Sequence, residues 1–273
     1  MSEFEYLRYV QLGLYLPTGS WIHRLDSRAR MLAAFCLLAG ITAATRLEGL
    51  LLGLIVVLLL LAAGRIPLRY ALRSLIPPLP FLLLLVVLQV LFPPRGNSGE
   101  VLLHFWRIWI TTGGIEAGLA LLLRFSGLIL TLSLASYCLS TSELIRGTES
   151  LLRPLAKAGV PTQDLVMMVQ VMLRFLPFLA QSAERIAKAQ ASRGASWGTR
   201  SGGPISRVRQ AFPLLVPLFL NGLRRAEALA LAMEARGYGN RARHTSMIEL
   251  HFRFKDGLAI LGGVLLGAAV IFF

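Results

Sequence analysis

The sequence predicts an all-α integral membrane protein with about five transmembrane helices, or six, and a cytoplasmic insert of amphipathic coupling helices. Three observations predict it. Of the 273 residues 55% are hydrophobic and only 15% charged, and the mean hydropathy is +0.65, well to the apolar side of a soluble domain. Several apolar runs approach the roughly 17 to 25 residues that cross a bilayer. The basic residues are also segregated: 17 of the 28 lie between positions 141 and 255 against seven acids, so this stretch carries ten of the fourteen net positive charges. In a soluble protein such an excess would point to nucleic acid. Here it marks the cytoplasmic side, where Lys and Arg accumulate, and no nucleic-acid partner is expected.

Residues 1–30 are mixed in character. No cleavable signal peptide is read in residues 1–20, which lack a basic start followed by a continuous apolar core. Asp26 or Ser27 is suited to cap the first apolar helix, and Arg24, Arg28 and Arg30 fall just before it as a charged membrane-edge anchor. Spans are predicted over residues 31–45 and 50–63. A third follows over 75–92, where Pro77, Pro78 and Pro80 bend or delay the helix start. The loop 93–110 carries the patch Phe105-Trp106-Arg107-Ile108-Trp109, suited to the headgroup region. A fourth span covers 115–139 and the last 257–273. Basic groups before the first span, between the second and third, and after the fourth place the amino terminus inside and the carboxyl terminus outside. Cys36 and Cys138 lie far apart in apolar segments and read as buried thiols without a disulfide. Arg124 falls well inside the fourth span, where a charge costs at least about 2.5 kcal/mol. It is either a functional group or a side chain that snorkels or meets a partner helix.

The chain divides into residues 1–140, with four spans, a cytoplasmic region 141–250, and a final span within 251–273. In the middle region a helix over 142–155 is closed by Gly159 and Pro161. The next runs over 164–192. Leu165, Met168, Val169, Met172, Leu176 and Leu179 begin an apolar stripe at spacings of three and four, Glu184 and Lys188 form an i,i+4 pair, and Pro177 kinks the helix. Glycines and serines over 194–203 read as a linker. A further helix over about 213–235 contains Pro217; its apolar half, 214–222, is short for a span and favours a buried or interfacial position.

Both long helices end in the same way. Ser192-Arg193-Gly194 closes the first and Ala235-Arg236-Gly237 the second, 43 residues later. Glycine beyond the last turn with arginine near the negative end of the dipole is ordinary helix termination. Two such ends in one basic insert carry a second reading, since a guanidinium at a projecting helix end can bond carboxylates and carbonyls in a partner's groove.

Enzymatic signatures are missing. There is no phosphate-binding G-x-x-x-x-G-K-[ST] loop, the four histidines lack a metal-ligand spacing, and no Ser/His/Asp or paired-carboxylate arrangement stands out. No catalytic residue, cofactor site or metal site is expected. Any nucleotide hydrolysis that drives transport must occur on a partner.

The residues that carry these signals resemble the transmembrane (T) component of energy-coupling factor (ECF) transporters for vitamins, cobalt and nickel. The likeness includes Gly19-Ser20 through Arg28, Leu151-Leu152-Arg153-Pro154-Leu155 to Gly159-Val160-Pro161, Leu173-Arg174-Phe175-Leu176-Pro177, and the two Arg-Gly ends. It implies that Ala235-Arg236-Gly237 and Ser192-Arg193-Gly194, the latter with serine in place of the family's alanine, dock into two ABC-type ATPase subunits. It further implies that their motion is transmitted to a separate substrate-binding membrane (S) subunit, in a multi-pass component of a prokaryotic inner or plasma membrane. Arg124, Pro177, Asp26 and Arg28 also look family-like, with no role implied. Met167, Met168 and Met172 fit either an adaptable sliding surface or plain core packing. Two rivals from other classes are a membrane enzyme acting on a lipid through Arg124, Ser126 and Ser133, and a membrane scaffold with a basic lipid-binding insert.

Overall fold

The computed structural model describes residues 15–92, 101–105, 108–156, 159, 162–194, 204–238 and 252–273. Pro93-Pro94, the Gly96–Gly99 turn, Trp106 and Arg107, Val160 and Pro161, the centre of the glycine-serine linker, and His244 and His251 lie outside them. The chain forms two compact units. One comprises Gly13–Leu152 with Leu250–Phe273, the other Met1–Leu12 with Arg153–Glu249.

The larger unit is helical, as the hydropathy predicts. Its helices are α1 (Ser27–Ala43), α2 (Leu47–Ala63), α3 (Leu68–Leu75), α4 (Leu79–Leu91), α5 (Thr112–Cys138) and α9 (Phe254–Phe272). α6 (Thr141–Ala156) runs across the division between the units. Among the described residues α5 and α9 are long and apolar enough to cross a membrane, α3 and α4 qualify together as one pair bent by 57°, and α2 is a shorter apolar helix. That bend is the effect of Pro77, Pro78 and Pro80: the helix stops at Leu75 and restarts with proline in its first turn, where a missing N–H is harmless. One segment departs from the sequence reading. The stretch read as a loop before α5 contains an antiparallel hairpin, β1 (Val101–Phe105) paired with β2 (Ile108–Thr111).

Packing of this unit follows its small residues. α2 is apolar all round, with Leu50, Gly53, Val57 and Leu61 turned inward and Leu51, Ile55 and Leu59 outward, the pattern of a helix that must meet both protein and lipid. α1 and α9 meet more closely. Gly263 and Gly267 form a small-x-x-x-small pair against Ala33, Cys36 and Gly40, and a Cβ on Gly267 would stand 2.8 Å from the Cys36 carbonyl oxygen. The ends of this seam are pinned by one buried carboxylate. Asp256 accepts from the backbone N–H groups of Asp26 and Arg253, both at 2.8 Å.

The smaller unit holds α7 (Thr162–Ser192) and α8 (Pro204–Ala235). α7 matches the expected helix to within two residues. By length and composition it also qualifies as a membrane span, because its first half has few charges. α8 starts nine residues before the expected position: Pro204 opens it in the first turn, and Pro213 and Pro217 both fall inside.

Candidate functional site

The two Arg-Gly ends share one backbone design. Gly237 has φ +75° and Gly194 φ +84°, the left-handed conformation that a side chain disfavours. At the second end the Gly237 N–H donates to Glu234 O at 2.8 Å and the Tyr238 N–H to Met233 O at 3.0 Å, a complete Schellman closure with Arg236 as the C-cap. At the first, Gly194 N–H donates to Ala191 O at 3.0 Å, and Ser192 Oγ turns back to Ala189 O at 2.8 Å. Ser192 thus spends its hydroxyl on its own helix. Arg193 and Arg236 occupy equivalent C-cap positions, and both are exposed. Neither guanidinium is in an ion pair among the described residues.

The helices behind these tips run in opposite directions. A Cβ on Gly222 of α8 would stand 3.7 Å from Leu179 Cδ2 of α7, Arg225 lies over the Phe178 ring at 3.7 Å and also near Phe175, and Tyr238 beyond the end of α8 donates to Asp164 at the start of α7 at 3.4 Å. Advancing along one helix therefore retreats along the other. The two arginine tips stand at opposite ends of the pair, and fourteen residues separate Leu179 from Arg193 just as fourteen separate Gly222 from Arg236. Each arm is about 21 Å of helix. Pro177 sits inside α7, two residues from the Leu179 contact, so the proline and the crossing coincide. The Tyr238 hydroxyl stays a donor at neutral pH: burial first, then the Asp164 charge and hydrogen bond, raise it above the ordinary phenol value.

The apolar stripe of α7 begins exposed. Leu165, Met168, Val169 and Met172 all face outward, Met168 by 63%, so the core-packing reading does not describe Met168 or Met172 within this chain. Phe175, Leu176 and Leu179, further along, are half-buried.

The remaining singled-out residues have local structural partners. Asp26 is the N-cap of α1, accepting from the Arg28 N–H at 3.1 Å. The Arg28 side chain has its Nε enclosed with no hydrogen-bond partner among the described residues. Arg124 Nη2 donates to the carbonyl of Ala44, the C-cap of α1, at 2.6 Å. That is the partner-helix alternative, with the cation placed at the negative end of a dipole.

Arg30, read from the sequence as part of a charged membrane-edge anchor, instead lies buried inside the first turn of α1. It donates from Nη1 to the Cys138 carbonyl and from Nη2 to Glu143 at 2.8 Å, joining the start of α1 to the end of α5 and the start of α6. Burial works against the charge on Glu143, but the Ser140 N–H and the Arg30 guanidinium outweigh it and hold the carboxyl below its ordinary value. Asp256 was missed, although an acid three residues into a helix is a readable first-turn signal.

Comparison with known proteins gives a consistent result. A family model described as cobalt transport protein (CbiQ) matches residues 18–247. The chain is 40% identical over 264 residues to the energy-coupling factor transporter transmembrane protein EcfT of Acidaminococcus fermentans, covering 96% of this chain and 95% of that protein. It is 36% identical over 259 residues to the protein of the same description from Listeria innocua, covering 93% and 96%. The corresponding Brevibacillus brevis protein is 36% identical over 264 residues, covering 95% and 96%.

Proposed function

The chain belongs to the CbiQ family of cobalt transport proteins, as a transmembrane T component of the energy-coupling factor kind, and we propose that it couples ATP hydrolysis on two partner subunits to the movement of a third. In this reading it is a non-catalytic membrane subunit. Arg193 with Ser192 and Gly194, and Arg236 with Ala235 and Gly237, each dock into one ABC-type ATPase. The pair α7 and α8 carries the motion to a substrate-binding membrane subunit that imports a vitamin or a transition-metal ion. The amino terminus and residues 141–250 then face the cytoplasm, with the four spans of residues 1–140 and the final span within 251–273 in the bilayer.

One observation carries the reading: two equivalent C-cap arginines, exposed and in no ion pair among the described residues, stand at opposite ends of an antiparallel helix pair. Tips so placed reach two separate grooves and not one. A fixed helix end with a bidentate donor is well suited to a groove lined with carbonyls and carboxylates. The Arg124 contact with Ala44 O supports a structural place for that residue.

The test is Arg193→Glu with Arg236→Glu in one chain. Co-purification of the ATPase subunits and ATP-dependent uptake should both be lost, while the chain still inserts and elutes as a single species. Unchanged uptake by the double variant would overturn the assignment.

A further inference from the structure

Beside the crossing of α7 and α8 lies a cleft of about 470 Å³ with three arginines on its wall: Arg185 from α7, and Arg224 and Arg225 from α8. Ser182 and Asn221 add a hydroxyl and an amide, and Phe178 gives the floor an apolar face. None of the three arginines is in an ion pair among the described residues. Arg185 donates from Nε to its own helix at Gln181 O, 3.4 Å away. The Arg225 guanidinium carbon lies 3.7 Å from the Phe178 ring centroid. Contact with the ring holds the cation at the cleft wall, and a guanidinium brings donors that suit a carboxylate there.

The cleft also has a side. On α8, at 100° per residue, Asn221, Arg224 and Arg225 centre about 165° away from the exposed Phe212, Leu215, Val216, Phe219, Leu220 and Leu223. The helix pair therefore presents an apolar face and, opposite it, a cationic one. A lipid headgroup would be met next to the apolar face, not behind it. An open cleft of this size, part apolar and rimmed by three unpaired guanidiniums, exceeds what a single phosphate needs. It suits a short acidic stretch of polypeptide with an apolar residue beside its carboxylates.

We propose that this cleft is a third docking point for the ATPase partners, receiving an acidic segment of theirs midway between the two arginine tips. The inference rests on the coupling function proposed above and adds a contact that the tips do not make. It predicts that attachment of the ATPases has a salt-sensitive component independent of Arg193 and Arg236.

The experiment uses the full chain in neutral detergent and the purified ATPase subunits of the same transporter, with binding measured across a salt series. The Arg185→Gln, Arg224→Gln, Arg225→Gln triple variant should bind about tenfold more weakly at low salt and show a flatter salt dependence. Phe178→Leu, which keeps every charge but removes the ring, should fall between the triple variant and the unaltered chain. Equal affinity and equal salt slope in both variants would overturn the proposal. So would a triple variant that binds the ATPases normally but loses a co-purifying phosphatidylglycerol by native mass spectrometry, or loses stabilisation by inorganic phosphate in a thermal-shift assay. The Arg193→Glu, Arg236→Glu variant in the same series separates the two ideas: if it weakens binding and the cleft variants do not, only the cleft assignment fails.

Discussion

In the larger unit α1 and α9 approach backbone to backbone along Gly40, Gly263 and Gly267. In the smaller unit α7 and α8 touch through side chains, at Leu179 beside Gly222 and in the Phe178–Arg225 contact. The first contact excludes almost any added atom; the second is ordinary van der Waals distance with a cleft beside it. The polar chemistry divides likewise. Asp256 and Arg30 are buried and bonded in the larger unit, with Glu143 half-buried beside Arg30, whereas Arg193, Arg236, Arg224 and Arg225 of the smaller are exposed and in no ion pair among the described residues. Where close packing consumes hydrogen-bonding capacity a structure is fixed. Where that capacity is left over, a partner can use it.

The sharpest way to break this contrast is to add volume on each side of it. Gly267→Leu should destabilise the larger unit by about 3 kcal/mol or more, seen as loss of a monodisperse, cooperatively unfolding species in detergent. Gly222→Ala, with Leu179 Cδ2 at 3.7 Å, should leave unfolding within about 0.5 kcal/mol of the parent. Equal effects at the two glycines would remove the distinction.

Next in size is the buried ion pair. Arg30→Met strands Glu143 and should cost about 3 kcal/mol, again in thermal unfolding. It also carries a pH signature. Because the folded-state value of Glu143 is depressed below 4.5, its contribution is complete above about pH 4.5 and is lost as pH falls through the lower folded value. The parent should lose stability over that acid window, and Arg30→Met should lose much less of it.

Smaller still, Arg124→Leu removes a single bond to the α1 carboxyl end and should lower stability by about 1 to 2 kcal/mol, with uptake falling only as far as the folded population does. A total loss of uptake in a chain that unfolds normally would move Arg124 from structural to functional. The smallest expected effect is at the tips. Gly237→Ala forces a side chain into φ +75° and should cost about 1 kcal/mol locally, leaving global unfolding unmoved while weakening ATPase attachment.

What could be read from the sequence tracks the range of the interaction. α7 was legible almost to the residue, because its stripe and its stop at Gly194 are local patterns. The early start of α8 was hidden by Pro213, which looks like a first-turn proline, as Pro204 is in fact. The hairpin over β1 and β2 was masked by an amphipathic patch in which two tryptophans suggested a membrane interface. The spacing of Gly263 and Gly267 was available and went unread; its partner on α1 was not, since nothing local marks Ala33 or Cys36 as a contact. Arg124 could not be resolved either, because its acceptor is a backbone carbonyl eighty positions away. For the arginine tips, equivalence was legible and opposition was not: only the antiparallel register of α7 and α8 sets them at different ends.

The equal spacing from the crossing to each tip has a mechanical consequence. With arms of about 21 Å on both sides, a change of about 10° in the angle of either arm would carry its tip roughly 4 Å. The arms are not equally free, because the Tyr238 hydroxyl ties the end of α8 to Asp164 at the start of α7. Two subunits gripping the tips would therefore meet one arm fastened to its neighbour and one whose last turn closes on its own helix.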